Sequence, residues 1–300
     1  DERTCFERDR DRIVHSTAFR RLAGKTQVVV YPTDHQRTRL THALEVAQVA
    51  TSIARGIGVN VTLADAIALG HDCGHGPGGH ASEDAFDVFI PDGYDHGPWG
   101  ADVVLHSLNL CAETLDGIRN HSWSRPAPFT VEGHIVSWAD RIAYCAHDLE
   151  DAIHAGIVAP DDLPDEIVDV CGRTRRQQLN TFVRAVVRAV EEHGEVGMPP
   201  NEAAALAALR TFNYERIYVR AASLAQSQAV IDVLRALVEY YIDRPQLMPD
   251  GREIPAQSNA AVRAAVTYVA GMTDRYAFDM AVRHLDWPPE RLPRGIDRDA

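Results

Sequence analysis

Two imidazoles and two carboxylates carry the strongest chemical signal in this chain: the adjacent pair His71-Asp72, His42 before it and Asp140 well after it. Each falls on the apolar side of its segment. Buried there without a shared partner, such groups are costly, because a polar or charged side chain loses its hydration on leaving water. A divalent metal is the partner that suits them. Neutral imidazole with carboxylate matches intermediate or hard ions of five or six ligands, Mn, Fe, Mg or Ni; Zn stays on the list, although a closed zinc site prefers thiolates. One ion is expected. Such a centre leaves positions open for water and substrate, as in a metal-dependent hydrolase.

Other residues could supply the rest of that chemistry. In HDCGHGPGGHASE, residues 71–83, His80 and Glu83 stand three apart at a helix start. Their side chains can meet there, and a carboxylate that orients an imidazole prepares it for proton transfer. The plainer reading is an exposed His with a first-turn Glu that favours the helix dipole. The glycine-rich run lacks the GK[ST] ending of a phosphate-cradling loop. Arg39 lies three residues before His42, one turn back on the same side, where a guanidinium could grip phosphate oxygens. Asp140, Tyr144 and Asp148 share one helix face at intervals of four, with Arg141 as the nearest cation. A phenol and a carboxylate there could read sugar hydroxyls, although a solvated face fits the spacing equally well. His96 and His121 lie on loops, placed to touch phosphate or to ligate a second metal.

The elements that must position these groups read as helical. Val46, Val49, Ala50 and Ile53 join His42 on the apolar stripe of a helix over 40–55, stopped by Gly56 and Gly58. Thr62 and Asp65 look like a capping box opening the next helix, whose inward face runs Leu63, Ile67, His71. Further helices are predicted over 80–89, 101–116, 131–155, 174–193, 201–243 and 256–284. The one strand signal is Val28 to Tyr31, and the tail from Trp287 reads as loose. This pattern predicts an all-α fold, with residues 1–193 as the hydrolase core and 194–300 as a C-terminal helical region packed on it, or part of the same domain.

Composition narrows the function classes. Forty-three acidic against 30 basic residues give a net charge of −13, so general attraction to nucleic acid or to an anionic membrane is not expected, and a phosphate ligand must meet a local cluster of cations or metal. Five cysteines without CxxC spacing suit a reducing compartment, and cytoplasm is the expected location. Cys73 reads as a small packed residue. No apolar run approaches the roughly 20 residues needed to span a bilayer. A first residue other than Met suggests that a leader was removed.

Together the segments ERDRDRIVHSTAFRRLAGKTQV, RTRLTHALEVAQVA, AIALGHDCGHGPGGHASE, RNHS and VSWADRIAYCAHDLEDA resemble the HD-domain superfamily, and within it the deoxyguanosinetriphosphate triphosphohydrolase-like branch. FNYERIY, residues 212–218, is a looser echo. The resemblance implies an HD-domain helical bundle with additional C-terminal helices. It also implies a metal held by His42, His71, Asp72 and Asp140, and acid–base work by His80 with Glu83. By the same resemblance, phosphates meet Arg39 and Arg141, His75, His96 and His121 line the phosphate pocket, and Gln27, Tyr144 and Asp148 surround the deoxyribose. The implied substrate is a deoxynucleoside triphosphate attacked at its α-phosphorus, and the implied assembly a homo-oligomer. A nucleotide phosphomonoesterase or phosphodiesterase, or a nucleotide-binding regulator without turnover, would use the same site. The chain departs from the family pattern at Gly78, where an aromatic residue is usual, and at Gly97, where Asn is usual.

Overall fold

The computed structural model describes residues 2–28 and 37–293. Fourteen α-helices dominate it, and among the described residues the sole strand-like feature is an isolated antiparallel bridge between Thr26 and Thr38. The all-α expectation is met. The predicted strand at Val28 falls, beyond that residue, outside the described residues.

In chain order the helices are α1 (Cys5–His15), α2 (Thr17–Arg21), α3 (Arg39–Ile57), α4 (Val61–Gly70), α5 (His80–Asp87), α6 (His96–Trp99) and α7 (Ala112–Asn120). There follow α8 (Val131–His154), α9 (Asp165–Cys171), α10 (Arg175–His193), α11 (Pro200–Asn213), α12 (Ala221–Asp243), α13 (Asn259–Ala270) and α14 (Asp274–Leu285). None is long and apolar enough to cross a membrane.

Burial of apolar stripes organises these helices around two cores. The larger gathers α1 to α4 and α7 to α11, with Val46, Ile53, Ile67, Ile135 and Ile142 fully enclosed. Leu206 and Leu209 of α11, beyond residue 193, belong to it as well. The smaller surrounds α12 and takes Ala85 and Phe86 from α5, Trp99 from α6, and the inner faces of α13 and α14. Helix α5 therefore presents His80 and Glu83 at its start while its apolar face packs with the C-terminal helices.

Several local expectations are corrected. Asn60, not Thr62, caps α4: its Oδ1 accepts from the Leu63 N–H at 3.0 Å, and Asp65 is drawn instead to Arg10 at 2.7 Å. The helix starts one residue before Thr62, which leaves the shorter hydroxyl inside the first turn. The predicted 101–116 helix is broken. A π-turn over Gly100–Val104 and a short 3-10 turn lead to Asn109, at φ 51°, a left-handed conformation that Asn tolerates better than most residues. Helix α7 then starts where Asp9 of α1 accepts from the Cys111 N–H. Likewise 201–243 is split by a π-turn at Tyr214–Tyr218, anchored by Asn213 Nδ2 on the Cys145 carbonyl at 2.8 Å. The 256–284 segment divides at Gly271–Thr273, where Thr273 caps α14.

Candidate metal centre

Three helices bring the four expected ligands together. His42 comes from the first turns of α3, His71 and Asp72 from the end of α4, and Asp140 from the middle of α8. His42 Nε2 stands 3.0 Å from Asp140 Oδ1 and 3.9 Å from Asp72 Oδ2; His71 Nε2 stands 3.4 Å from Asp72 Oδ1 and 3.8 Å from Asp140 Oδ1. His42, His71 and Asp72 are buried, whereas the Asp140 side chain keeps 22% of its surface and marks the open side.

The proton positions suit a cation. His71 Nδ1 donates to the Ala68 carbonyl at 2.6 Å, which leaves the Nε2 lone pair facing the cluster, buried and without a hydrogen-bond partner. Burial also keeps this imidazole neutral by lowering its pKa. Burial is the strongest single influence against ionisation of Asp140, and the hydrogen bond from His42 together with the other imidazoles around it outweighs burial and holds the carboxylate charged. His42, His71 and Asp140 offer ligand atoms within reach of one ion, as do His71, Asp72 and His121, and Nε2 of the shared His71 is unsatisfied, so the residues present fit a divalent metal.

A ring of cations and imidazoles surrounds this quartet. Arg39, 1% exposed, donates from Nη1 to Asp72 Oδ2 at 2.7 Å. On the other oxygen of Asp72, His75 Nε2 lies at 3.3 Å and His96 Nε2 at 3.9 Å, with the two rings stacked 3.7 Å apart. Neither nitrogen of His75 has a hydrogen-bond partner although both are buried. His121 Nδ1 donates to the Ile118 carbonyl, so its Nε2 is an acceptor, and His96 Nε2 reaches it at 3.0 Å. His96 Nδ1 in turn donates to Glu83 at 2.7 Å. With both nitrogens donating, His96 is an imidazolium. Burial opposes that charge, and the Glu83 carboxylate overcomes it and raises the pKa.

The partner expected for Glu83 is thereby corrected. The first turn of α5 faces α6, so Glu83 takes both the ring and the backbone N–H of His96. His80 turns the other way: its Nδ1 lies 3.5 Å from Arg39 Nη2 and its ring meets that of His75 edge-on. His80 itself is exposed to solvent, and the Arg39 charge beside its ring favours the neutral imidazole.

The residues expected near the sugar are more dispersed. Gln27 keeps a buried Oε1 without a partner. Tyr144 accepts from Arg210 Nε at 3.1 Å. Both oxygens of Asp148 are occupied, one by Arg37 and the other by the Tyr218 hydroxyl. Arg141 lies over the Trp123 ring at 3.5 Å, with its Nε buried and unpartnered. Arg37, Tyr218, Trp123, Lys25 and Asp274 were not singled out from the sequence. For Lys25, its place beside Gln27 inside the family-like segment was the available signal.

Both departures from the family pattern have a local cause. Gly78 sits at φ +74°, and a Cβ there would lie 2.4 Å from Val230 Cγ1 of α12. A Cβ on Gly97 would lie 2.7 Å from the Arg119 carbonyl. Gly78→Tyr is therefore expected to destabilise the protein by about 2–4 kcal/mol through a strained φ and overpacking, seen as a lower melting temperature in calorimetry. An unchanged melting temperature would show that Val230 yields.

Lys25 gives a pH dependence. Its ammonium is enclosed, and burial lowers its pKa from 10.5 to about 8. Between those values the unfolded chain binds more protons than the folded one, so this contribution to stability rises as pH increases from 8 towards 10.5. The span corresponds to about 3 kcal/mol. Urea unfolding at both ends of the window, with Lys25→Met as reference, should show wild type gaining on the variant by that order.

Residues 39–145 match the HD domain and residues 196–283 the phosphohydrolase-associated domain. The chain is 41% identical over 284 residues to a deoxyguanosinetriphosphate triphosphohydrolase-like protein of Caldanaerobacter subterraneus subsp. tengcongensis, covering 92% of this chain and 84% of that one. It is 40% identical over 290 residues to a protein of the same description from Clostridium perfringens, covering 91% and 84%. Among solved structures, a hypothetical protein from Aquifex aeolicus superposes with a TM-score of 0.56 at 16% identity, covering 94% of this chain and 69% of that one, a likeness of fold alone.

Proposed function

Since this chain belongs to the deoxyguanosinetriphosphate triphosphohydrolase-like family of HD-domain phosphohydrolases, we propose that it hydrolyses deoxynucleoside triphosphates, dGTP or several dNTPs, to deoxynucleoside and tripolyphosphate. The observation that carries this reading is the pairing of an acidic metal-binding quartet with a buried cationic wall. His42, His71, Asp72 and Asp140 converge on one side, and Arg39 with the His96 imidazolium stands directly behind Asp72. Arg39 and His96 offset Asp72 and Glu83, so a divalent cation at the quartet would leave the site net positive towards a polyanion.

His42, His71, Asp72 and Asp140 would hold the divalent cation, which when bound supplies charge to a phosphoryl oxygen and lowers the pKa of water. The protein's own groups do the rest. Arg39 and the His96 imidazolium neutralise oxygens of the polyphosphate, and His75 and His121 offer further imidazole nitrogens. Glu83 keeps His96 protonated. His80, in its basic form at neutral pH, accepts a proton from the attacking water. Beside Arg39 the resulting imidazolium is a strong acid, ready to release that proton to the departing 5′ oxygen. Gln27, with its unsatisfied carbonyl, and Tyr144 are the groups left to meet the sugar, Asp148 being taken by Arg37 and Tyr218, and Arg141 would meet phosphate on leaving the Trp123 ring.

The test is incubation with Mn2+ or Mg2+ and each dNTP, followed by anion-exchange separation of the products. Tripolyphosphate and deoxynucleoside in equal amounts are expected. Release of orthophosphate or pyrophosphate instead, by a metal-loaded protein, would refute the reading.

A further inference from the structure

Helix α14 opens on Asp274, whose carboxylate is 4% exposed and does not cap its own helix, a task that falls to Thr273. Instead it reaches far along the chain. Oδ1 accepts from the Gly78 N–H at 2.9 Å; Oδ2 accepts from the Thr26 N–H at 3.0 Å and from the Thr26 hydroxyl. One residue before Thr26, the buried Lys25 ammonium donates to the Ala270 carbonyl at 2.9 Å and to the His75 carbonyl. The turn between α13 and α14 is thus tied at two points to the segment that carries His75 and leads into His80.

Within that segment Ser82 Oγ accepts from the Gly76 N–H at 3.0 Å and donates to the Gly79 carbonyl at 2.6 Å, while the Gly78 N–H is left to Asp274. Gly78 and Gly79 are consecutive residues at φ +74° and +64°, so no helix fixes the backbone just before His80. Three donors converge on two carboxylate oxygens, a demand that only an acceptor-only group satisfies; an amide would point its own N–H at one of them.

We infer that Asp274 is a positioning residue for the hydrolytic site: with Lys25 and Thr26 it sets the backbone at 75–79 and so the placement of the His75 and His80 rings. This rests on the reading above, in which those two imidazoles serve hydrolysis. It gives the phosphohydrolase-associated region a task in the reaction although it contributes no group to the metal quartet.

The experiment compares Mn2+-loaded wild type with Asp274→Asn, Thr26→Val and Thr26→Ser, measuring kcat and KM for dGTP, metal content, and amide hydrogen exchange. Asp274→Asn should lower kcat by about 10²-fold, the scale set by an ångström of misplacement, with KM within about threefold and metal content unchanged. Exchange should quicken at residues 74–83 and stay as in wild type in α3 and α8. Thr26→Val should lose part of kcat and Thr26→Ser, which keeps the hydroxyl, should retain it; this pair carries the test if Asp274→Asn does not fold. A folded Asp274→Asn with wild-type kcat and wild-type exchange at 74–83 would overturn the inference, as would exchange rising equally in α3 and α8. Should wild type hydrolyse no dNTP, the functional reading fails, and exchange at 74–83 alone decides this one.

Discussion

Asp72→Ala is expected to abolish metal retention and to lower kcat/KM by at least about 10²–10³-fold, since the electrostatic stabilisation of the reacting phosphoryl group goes with the ion. Its effect on folding should also be large. Asp72 is enclosed, and although burial disfavours its charge, the Arg39 guanidinium beside it holds it well below the usual carboxylate range. Arg39 is equally enclosed and donates to it at 2.7 Å. Removing the carboxylate strands a guanidinium in the interior, a loss of about 3–5 kcal/mol. The double variant Asp72→Ala/Arg39→Met should recover much of that stability and none of the activity. Metal analysis and urea unfolding of the three proteins measure both parts; a single variant as stable as wild type would mean that Arg39 finds another partner.

The second large effect concerns His80 and Glu83, which the structure separates. His80→Gln should lower kcat by about 10²–10⁴-fold, the range for a general acid–base group, with metal content intact. Glu83→Gln should act through His96, because it removes the carboxylate charge that keeps His96 an imidazolium while leaving an oxygen to accept from it. Loss of that charge weakens the hold on the polyphosphate and appears mainly in KM. In double-mutant cycles Glu83→Gln and His96→Gln should then be strongly non-additive, while Glu83→Gln and His80→Gln should come close to adding. Strong coupling of Glu83 to His80 instead would restore the direct pairing that sequence spacing suggests.

The helical fold and the convergence of His42, His71, Asp72 and Asp140 were legible in the sequence for the same reason. A helix places residues three and four apart on one face, so His42 among Val46, Val49 and Ile53, or His71 after Leu63 and Ile67, reveals its direction without coordinates. What spacing cannot reveal is which neighbour a group chooses when several lie within reach. Glu83 could have met His80 on its own helix, and the approach of α6 gives it His96. Asp148 continues the face of Asp140 and Tyr144, yet Arg37 from before α3 and Tyr218 from the π-turn occupy its oxygens. Helix ends were misplaced at α4, where a local bond makes Asn60 the cap in place of Thr62, and at the break at Asn109, after which a tertiary bond from Asp9 of α1 holds the Cys111 N–H. Lys25 and Asp274 stayed hidden because their partners lie 50 to 248 residues away and no local pattern marks them.

In the proposed centre a divalent cation sits where three helices converge, between His42, His71, Asp72 and Asp140. Anomalous diffraction at the manganese edge, on crystals grown with Mn2+, locates it. A single strong peak among those four side chains, lost in Asp140→Ala, is expected; no peak there, or a peak of unchanged strength in the variant, would mean that these side chains do not hold the ion.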